Sequence, residues 1–519
     1  MKTIGPGLRE KMEANWKTIL LCVLFTFFWG FSAHGYMFLH NNLTHDSLGE
    51  LLATQGILDW KLSLGRIFWP VYVLCFRGKL AYPWLIGLLA LTYIGLAVFL
   101  IGKIFDIRSK GILFLVSGVL AVNTTVSATA ATYINDLDCD MLAMLLAVVS
   151  VYCWKTYRHG YLWGMIPIPI LLGLYQSYIS VTITFLMMLC ILALLNGETF
   201  REVMGKGLKG ILMLMGGGAA YFVIMKLALL LTGVSVSSGN ANSIDAALSL
   251  NLSNIVGYVL ETWFASLKML LNPPSAFPTA LIVLTHGLLI GGTGIVILLG
   301  MARRKMPVPE MLLTLALILL MPLGMNVSRV LTGNKSHDLM HYALWLQYLF
   351  ELVVIVRFFS EMPQSAVRQW MRRGAVGLIA LVVLWGNVRL ANEAYLVKDY
   401  EQDAILSYMT RIVGRVEARE DYVQGQTPVA LVGQPDIHGI LAPAPEWGRA
   451  YDLAGMWCAG PWGGEDAEYF RYVLMNYANV VTGDALEALE ADPIVKEMPA
   501  YPAKDSIAMV DGVIVVKLG

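Results

Sequence analysis

Eleven apolar runs, near residues 18–38, 80–102, 111–130, 139–154, 161–174, 178–196, 208–232, 279–300, 308–327, 337–357 and 374–391, leave this chain few ways to fold. A helix crosses a bilayer with about 20 apolar residues, or fewer where it is short or broken. In lipid every backbone polar group needs a partner within the segment, which selects helices. With 57% hydrophobic and only 14% charged residues, the chain falls far below the roughly 25% charge of soluble domains. Its mean hydropathy is +0.63. A formal net charge of zero argues against a nucleic-acid partner. Cys22, Cys75, Cys139, Cys153, Cys190 and Cys458 form no C-x-x-C pair, so they read as small apolar residues and not as a disulfide or zinc framework. The first run lacks an A-x-A-type cleavage site, which predicts a retained signal-anchor helix.

Orientation follows from Lys and Arg in the connections. If the N-terminus faces the cytoplasm, the inner connections hold more than twice as many of these cations as the outer ones. The expectation is a cytoplasmic N-terminus and a tail on the outer side. Residues 64–76 and 254–271 are apolar, but either one crossing alone would break the charge alternation. Both are expected to lie in the interface. The run 161–196 is interrupted by Pro167, Pro169 and Tyr175-Gln176-Ser177-Tyr178, predicting two short helices that meet at a polar turn.

From Asn392 the composition becomes that of a soluble domain. Asp399 to Glu417 and Tyr469 to Asn476 have helical patterns, and Pro428 to Gly433 reads as a buried strand. Ser506 to Val516 reads as a hairpin around Asp511-Gly512. The predicted division is a transmembrane domain over 1–391 and an extracytoplasmic α/β domain over 392–519.

The outer connections collect the groups that could do chemistry, and polar groups are costly to place in a membrane protein. The first holds Asp46 and Arg66, the second Asp136, Asp138 and Asp140, the third Tyr175 and Gln176. A later one holds Arg329, Lys335, His337, Asp338 and His341. Moving a sugar from a lipid phosphate to a hydroxyl needs a carboxylate to take the acceptor's proton. It also needs positive charge where the leaving phosphate develops charge, and the arginine fork suits phosphate oxygens. Asp46 is one candidate base, although it could equally cap a short helix. Among the aspartates of the second connection, Asp136 or Asp138 ranks ahead of Asp140, and all three could be a solvated loop. Arg66 could hold phosphate or snorkel. Arg329 and Lys335 are further phosphate partners, and Tyr175, Gln176, His337 and Asp338 further substrate contacts. His337 and His341 have a metal-binding spacing but no evident third ligand, so no metal or other cofactor is expected.

These motifs resemble a known family. His45-Asp46-Ser47-Leu48, Ser63-Leu64-Gly65-Arg66 before an aromatic-proline run, and the Asp-rich entry to Met141 are similar to the bacterial type-II Gtr glucosyltransferases. Leu174-Tyr175-Gln176-Ser177-Tyr178, Ser336-His337-Asp338-Leu339-Met340 and the tail from Asn392-Glu393-Ala394-Tyr395 fit the same pattern. Those enzymes decorate O-antigen and convert serotype. The resemblance implies a GT-C-type α-helical polytopic membrane fold and an undecaprenyl-phosphate glucose donor. It also implies inverting, metal-independent transfer to a surface glycan on the outer face of the inner membrane. Such enzymes keep a catalytic acid in the first outer loop, the position of Asp46.

Two rival readings carry weight. A lipid-linked sugar flippase or carrier would need polar groups near the midplane, and Lys226, His286 and Glu351 form no pair by sequence. Carriers also often show internal symmetry, which is not visible here. A glycan polymerase or ligase would use the same kind of carrier and is chemically close.

Overall fold

The computed structural model describes residues 6–40, 43–237, 251–360, 366–435, 460 and 466–519. It is an α-helical polytopic membrane protein with a small C-terminal sheet. Eight helices are long and apolar enough to cross a membrane alone. A ninth span arises if Lys110–Ala121 and Thr124–Thr132, bent by 42° at their junction, count as one. The other two of the eleven runs fold as shorter helices, Gly160–Leu174 with its interruption at Ile166 and Leu346–Ser360. The difference from eleven full spans is thus one of helix length. Proline at 167 breaks the first, and two 3₁₀ turns over Asp338–Met340 and Tyr342–Trp345 use up the start of the second.

The chain divides into two compact units. The first comprises Met1–Leu39, Ala53–Ala130 and Asp136–Asn392. Its Pro83–Ile104 helix packs along both Leu137–Thr156 and Pro6–Leu39. Polar side chains tie neighbouring helices through backbone carbonyls: Trp29 Nε1 donates to Phe114 O at 2.9 Å, and His34 Nε2 bonds Ala121 O at 2.8 Å. The bend at 122–123 exposes backbone groups that have no water to turn to. Asn123 repairs it, its amide donating to Val119 O and Leu120 O while its carbonyl accepts from Val126 N. Tyr342 adds a second donor to Leu120 O at 2.9 Å. One side chain serving both halves thus pairs backbone groups that the break frees.

The second unit comprises Glu393–Gly519 together with His40–Leu52 and Ala131–Asn135. Thr44 Oγ1 donates to Thr132 O at 2.6 Å, Gln402 Oε1 accepts from Leu43 N at 3.0 Å, and the buried Lys398 ammonium bonds Ala131 O. Its sheet has the order β2-β1-β4-β3, with β1 Pro428–Val432, β2 Asn479–Val480, β3 Ile507–Val510 and β4 Val513–Lys517. β1 runs parallel to β2 and β4, while β3 and β4 form an antiparallel hairpin. Asp511 and Gly512 turn it with φ of 48° and 80°, the positive-φ pair that two-residue hairpins favour. Ile405, Met409 and Ile412 from the Trp385–Glu417 helix close one face against Val429, Ile514 and Val516.

Candidate active site

The first unit buries three carboxylates and three cations in one cluster at the N-terminal end of the Leu137–Thr156 helix. The sequence Asp136-Leu137-Asp138-Cys139-Asp140 explains their directions. Residues two apart on a helix diverge, whereas residues four apart share a face.

Asp136 is fully occupied. Lys61 Nζ reaches both of its oxygens at 2.9 Å, Arg66 donates to Oδ2 at 2.7 Å, and Trp69 Nε1 donates to Oδ1 at 2.6 Å. Asp138 points to a second set. Tyr72 OH donates to its Oδ2 at 3.0 Å, Arg77 Nε lies 3.4 Å from the same oxygen, and Oδ1 accepts from Cys139 N at 2.9 Å. Asp140 is buried at 2% exposure. Among the described residues no hydrogen bond or ion pair reaches its carboxylate.

The cations arrive on a short folded segment. A helix over Gln55–Ser63 presents Lys61, and a second over Trp69–Phe76 presents Trp69 and Tyr72. Gly65 joins them at φ 82°, a conformation that a side chain would strain. The reversal lets Arg66 N bond Lys61 O at 3.0 Å, so both cations face one way. The Pro167–Leu174 helix holds this segment from outside. Phe68 N donates to Gly173 O at 2.8 Å, and a Cβ at Gly173 would stand 2.4 Å from the Phe68 ring.

Tyr175 and Gln176 lie where the polar break predicted a turn, between Pro167–Leu174 and the 3₁₀ turn Gln176–Tyr178. The Arg66 guanidinium stacks 4.4 Å from the Tyr175 ring centroid, a favourable cation–π contact when desolvated. Burial pushes the Tyr175 hydroxyl above the usual phenol range, against the pull of Arg66, so it stays a neutral donor. Gln176 donates to Leu64 O and Tyr221 OH, and Tyr221 donates to Gly65 O. Gln176 thus braces the Arg66 turn. The Tyr178 ring packs tilted against Tyr342, centroids 5.4 Å apart, with its buried hydroxyl unpartnered.

The later candidates form a separate, more open group in the same unit. Arg329 donates to Ser336 Oγ at 2.9 Å and keeps a buried, unpartnered Nε. Ser336 Oγ shares a hydrogen bond with His341 Nε2 at 3.2 Å, and His341 Nδ1 lies 3.5 Å from Asp338. Lys335 and His337 are exposed. The Val327–Leu331 helix, which carries Arg329, packs against the Gln176–Tyr178 turn. Asp46 lies in a short helix, His45–Gly49, of the second unit, and its side chain lies outside the described residues.

Sequence reasoning found Arg66, Asp136 and Asp138 but missed Lys61, Trp69, Tyr72 and Arg77 as their partners. It also ranked Asp140 last. Lys61, Arg66, Trp69, Tyr72 and Arg77, spaced through a largely apolar stretch, were the available signal. Of the groups weighed for the rival carrier reading, His286 bonds the Tyr348 hydroxyl and Ile282 O.

The family described as Glucosyl transferase GtrII matches residues 35–356. The chain belongs to that family. No curated protein and no solved structure matches it. The GtrII match spans every candidate residue above, from Asp46 to His341, and makes the chain a membrane glucosyltransferase.

Proposed function

We propose that this GtrII-family chain moves glucose from a polyprenyl phosphate to a hydroxyl of a cell-surface glycan of the O-antigen type. The reaction is inverting. The acceptor oxygen bonds C1 of the sugar as the C1–O bond to phosphate breaks, and the acceptor's proton passes to a carboxylate. The N-terminus faces the cytoplasm, the tail faces outward, and the reaction runs on the outer side of the bacterial inner membrane. The observation that carries this reading is a buried set of cations, Lys61, Arg66 and Arg77, interleaved with carboxylates and aromatic rings in a glucosyltransferase.

Asp136 and Asp138 serve as positioning residues, because their oxygens are already taken by cations and donors. Arg66, Arg329 and Lys335 supply positive charge to the phosphate, while Tyr175, Gln176, His337 and Asp338 contact sugar or brace the site. On the family resemblance Asp46 is the proton acceptor.

A second reading gives that role to Asp140, the one carboxylate of the cluster without a hydrogen bond. Three carboxylates balance three cations there, so a proton accepted by Asp140 leaves one positive charge in excess. That surplus would appear in the same step as the leaving phosphate's negative charge.

The test is release of polyprenyl phosphate from polyprenyl-phosphate glucose by purified protein, with and without candidate glycans. Acceptor-dependent release supports transfer. Absence of release with every acceptor, together with movement of the lipid between leaflets, would replace it with the carrier reading. Asp46→Asn and Asp140→Asn then assign the base, since only the true one loses turnover by about 10²-fold or more.

A further inference from the structure

The helix that carries the aspartate cluster at one end borders a second polar site at the other. Leu137–Thr156 has 20 residues, about 30 Å of helix. At its C-terminal end, and at that of Ile179–Leu195, lies a cavity of about 390 Å³. Lys155, Arg158, Lys206, Lys209 and Arg357 line it, against only Asp106 and Glu198. The carboxylates are shared out unevenly. Asp106 lies 3.3 Å from Lys155 and 3.9 Å from Arg357, and Glu198 pairs with Lys206. Arg158 and Lys209 are exposed and have no carboxylate partner among the described residues.

The cavity continues into an apolar groove. Leu192, Asn196 and Arg357 line both, and the groove runs on between Leu195, Val296, Ile297 and Val354 to a further cation, Arg304. An excess of cations beside a small, largely aliphatic groove of about 50 Å³ matches a ligand that is anionic at its head and hydrocarbon next to it. Free phosphate or a nucleotide would leave the groove unused.

We propose that this cavity binds the headgroup phosphate of an anionic phospholipid, with the first carbons of one acyl chain entering the groove. Lys209 and Arg158 meet the phosphate from the rim, and Arg357 stands where headgroup and chain join. The site is separate from the aspartate cluster and does not depend on which reaction that cluster performs.

The experiment uses full-length protein, delipidated in neutral detergent and titrated with phosphatidylglycerol, phosphatidylcholine or inorganic phosphate, with bound adducts read by native mass spectrometry. Phosphatidylglycerol is expected to bind in preference to phosphatidylcholine and to resist displacement by equimolar inorganic phosphate. The double variant R158E/K209E lowers its apparent affinity on the order of 30-fold, while R158K/K209R retains it and K496E in the sheet-bearing unit has no effect. Both reversed residues are exposed, and a monodisperse elution profile checks folding. The proposal is overturned by equal binding of the two lipids, by displacement with inorganic phosphate, or by R158E/K209E binding like the wild type.

Discussion

Replacing Asp136 by asparagine isolates what the buried cluster does. The substitution keeps the shape of the side chain and removes the charge that Lys61 Nζ contacts at 2.9 Å and Arg66 at 2.7 Å. Both cations are less than 10% exposed, so neither can swing into water to recover solvation. Removing one partner of a buried ion pair costs about 3–5 kcal/mol, because the other charge is left uncompensated. Here two cations lose one carboxylate, and an asparagine oxygen still accepts from Trp69, which places the loss within that range. At about 2 °C per kcal/mol, the unfolding midpoint should fall by roughly 6–10 °C. The assay is the temperature at which full-length protein in detergent loses its monodisperse elution peak. A compensating change sharpens it: Lys61→Met with Asp136→Asn should recover about 0.5–3 kcal/mol, the coupling expected of direct partners. A variant Asp136→Asn with wild-type thermal stability but no glucosyl transfer would refute the argument, since it would put Asp136 on the substrate and not on the cations.

Four further outcomes follow from the same geometry. Gly65→Ala should cost about 1–2 kcal/mol through its φ of 82°, and because Arg66 follows it, the donor KM should rise along with the loss of stability; an unchanged midpoint would mean the turn relaxes. Arg329→Ala should raise KM for the lipid-phosphate donor, and an unaltered KM would leave its contact to Ser336 as purely structural. Ile514→Ala, at a fully buried position of β4, should destabilise the sheet-bearing unit by about 2–5 kcal/mol, read as earlier cleavage by protease within residues 393–519 and contradicted by a wild-type digestion profile. A cysteine placed at the exposed Lys496 in a Cys75→Ser, Cys458→Ser background should react with a membrane-impermeant reagent from the outer side, whereas labelling only after lysis would invert the proposed topology.

Much of the fold was legible because lipid enforces it. Each of the eleven apolar runs forms helix, and the two that fall short do so at a proline and at successive 3₁₀ turns. The hairpin was legible for a different reason, since Asp511-Gly512 carries its own turn chemistry. The site was harder. Asp136 and Arg66 were each visible as costly charges, but their pairing was not, because 70 residues separate them and no periodicity spans that distance. Asp140 ranked last for the same reason. Only the positions of Lys61, Arg66, Tyr72 and Arg77 decide which aspartates are taken. The inclusion of His40–Leu52 and Ala131–Asn135 in the second unit goes with side-chain-to-backbone bonds such as Thr44 Oγ1 to Thr132 O, which composition does not encode.

The separation of the cluster's partners along the chain has a consequence for synthesis. Lys61 leaves the ribosome 75 residues ahead of the carboxylate that neutralises it, and Trp69 is 67 residues ahead. Until the Leu137–Thr156 helix is made and docked, the segment 55–77 carries buried-to-be cations without the carboxylates that pair them, on and beside two helices of nine and eight residues that are too short to persist alone. That segment can therefore take its final fold only after Pro83–Ile104 and the helices that follow it to residue 132 have been made. Maturation of the site thus waits for the Leu137–Thr156 helix, and a chain truncated before residue 136 would leave Lys61, Arg66 and Arg77 without the carboxylates that pair them.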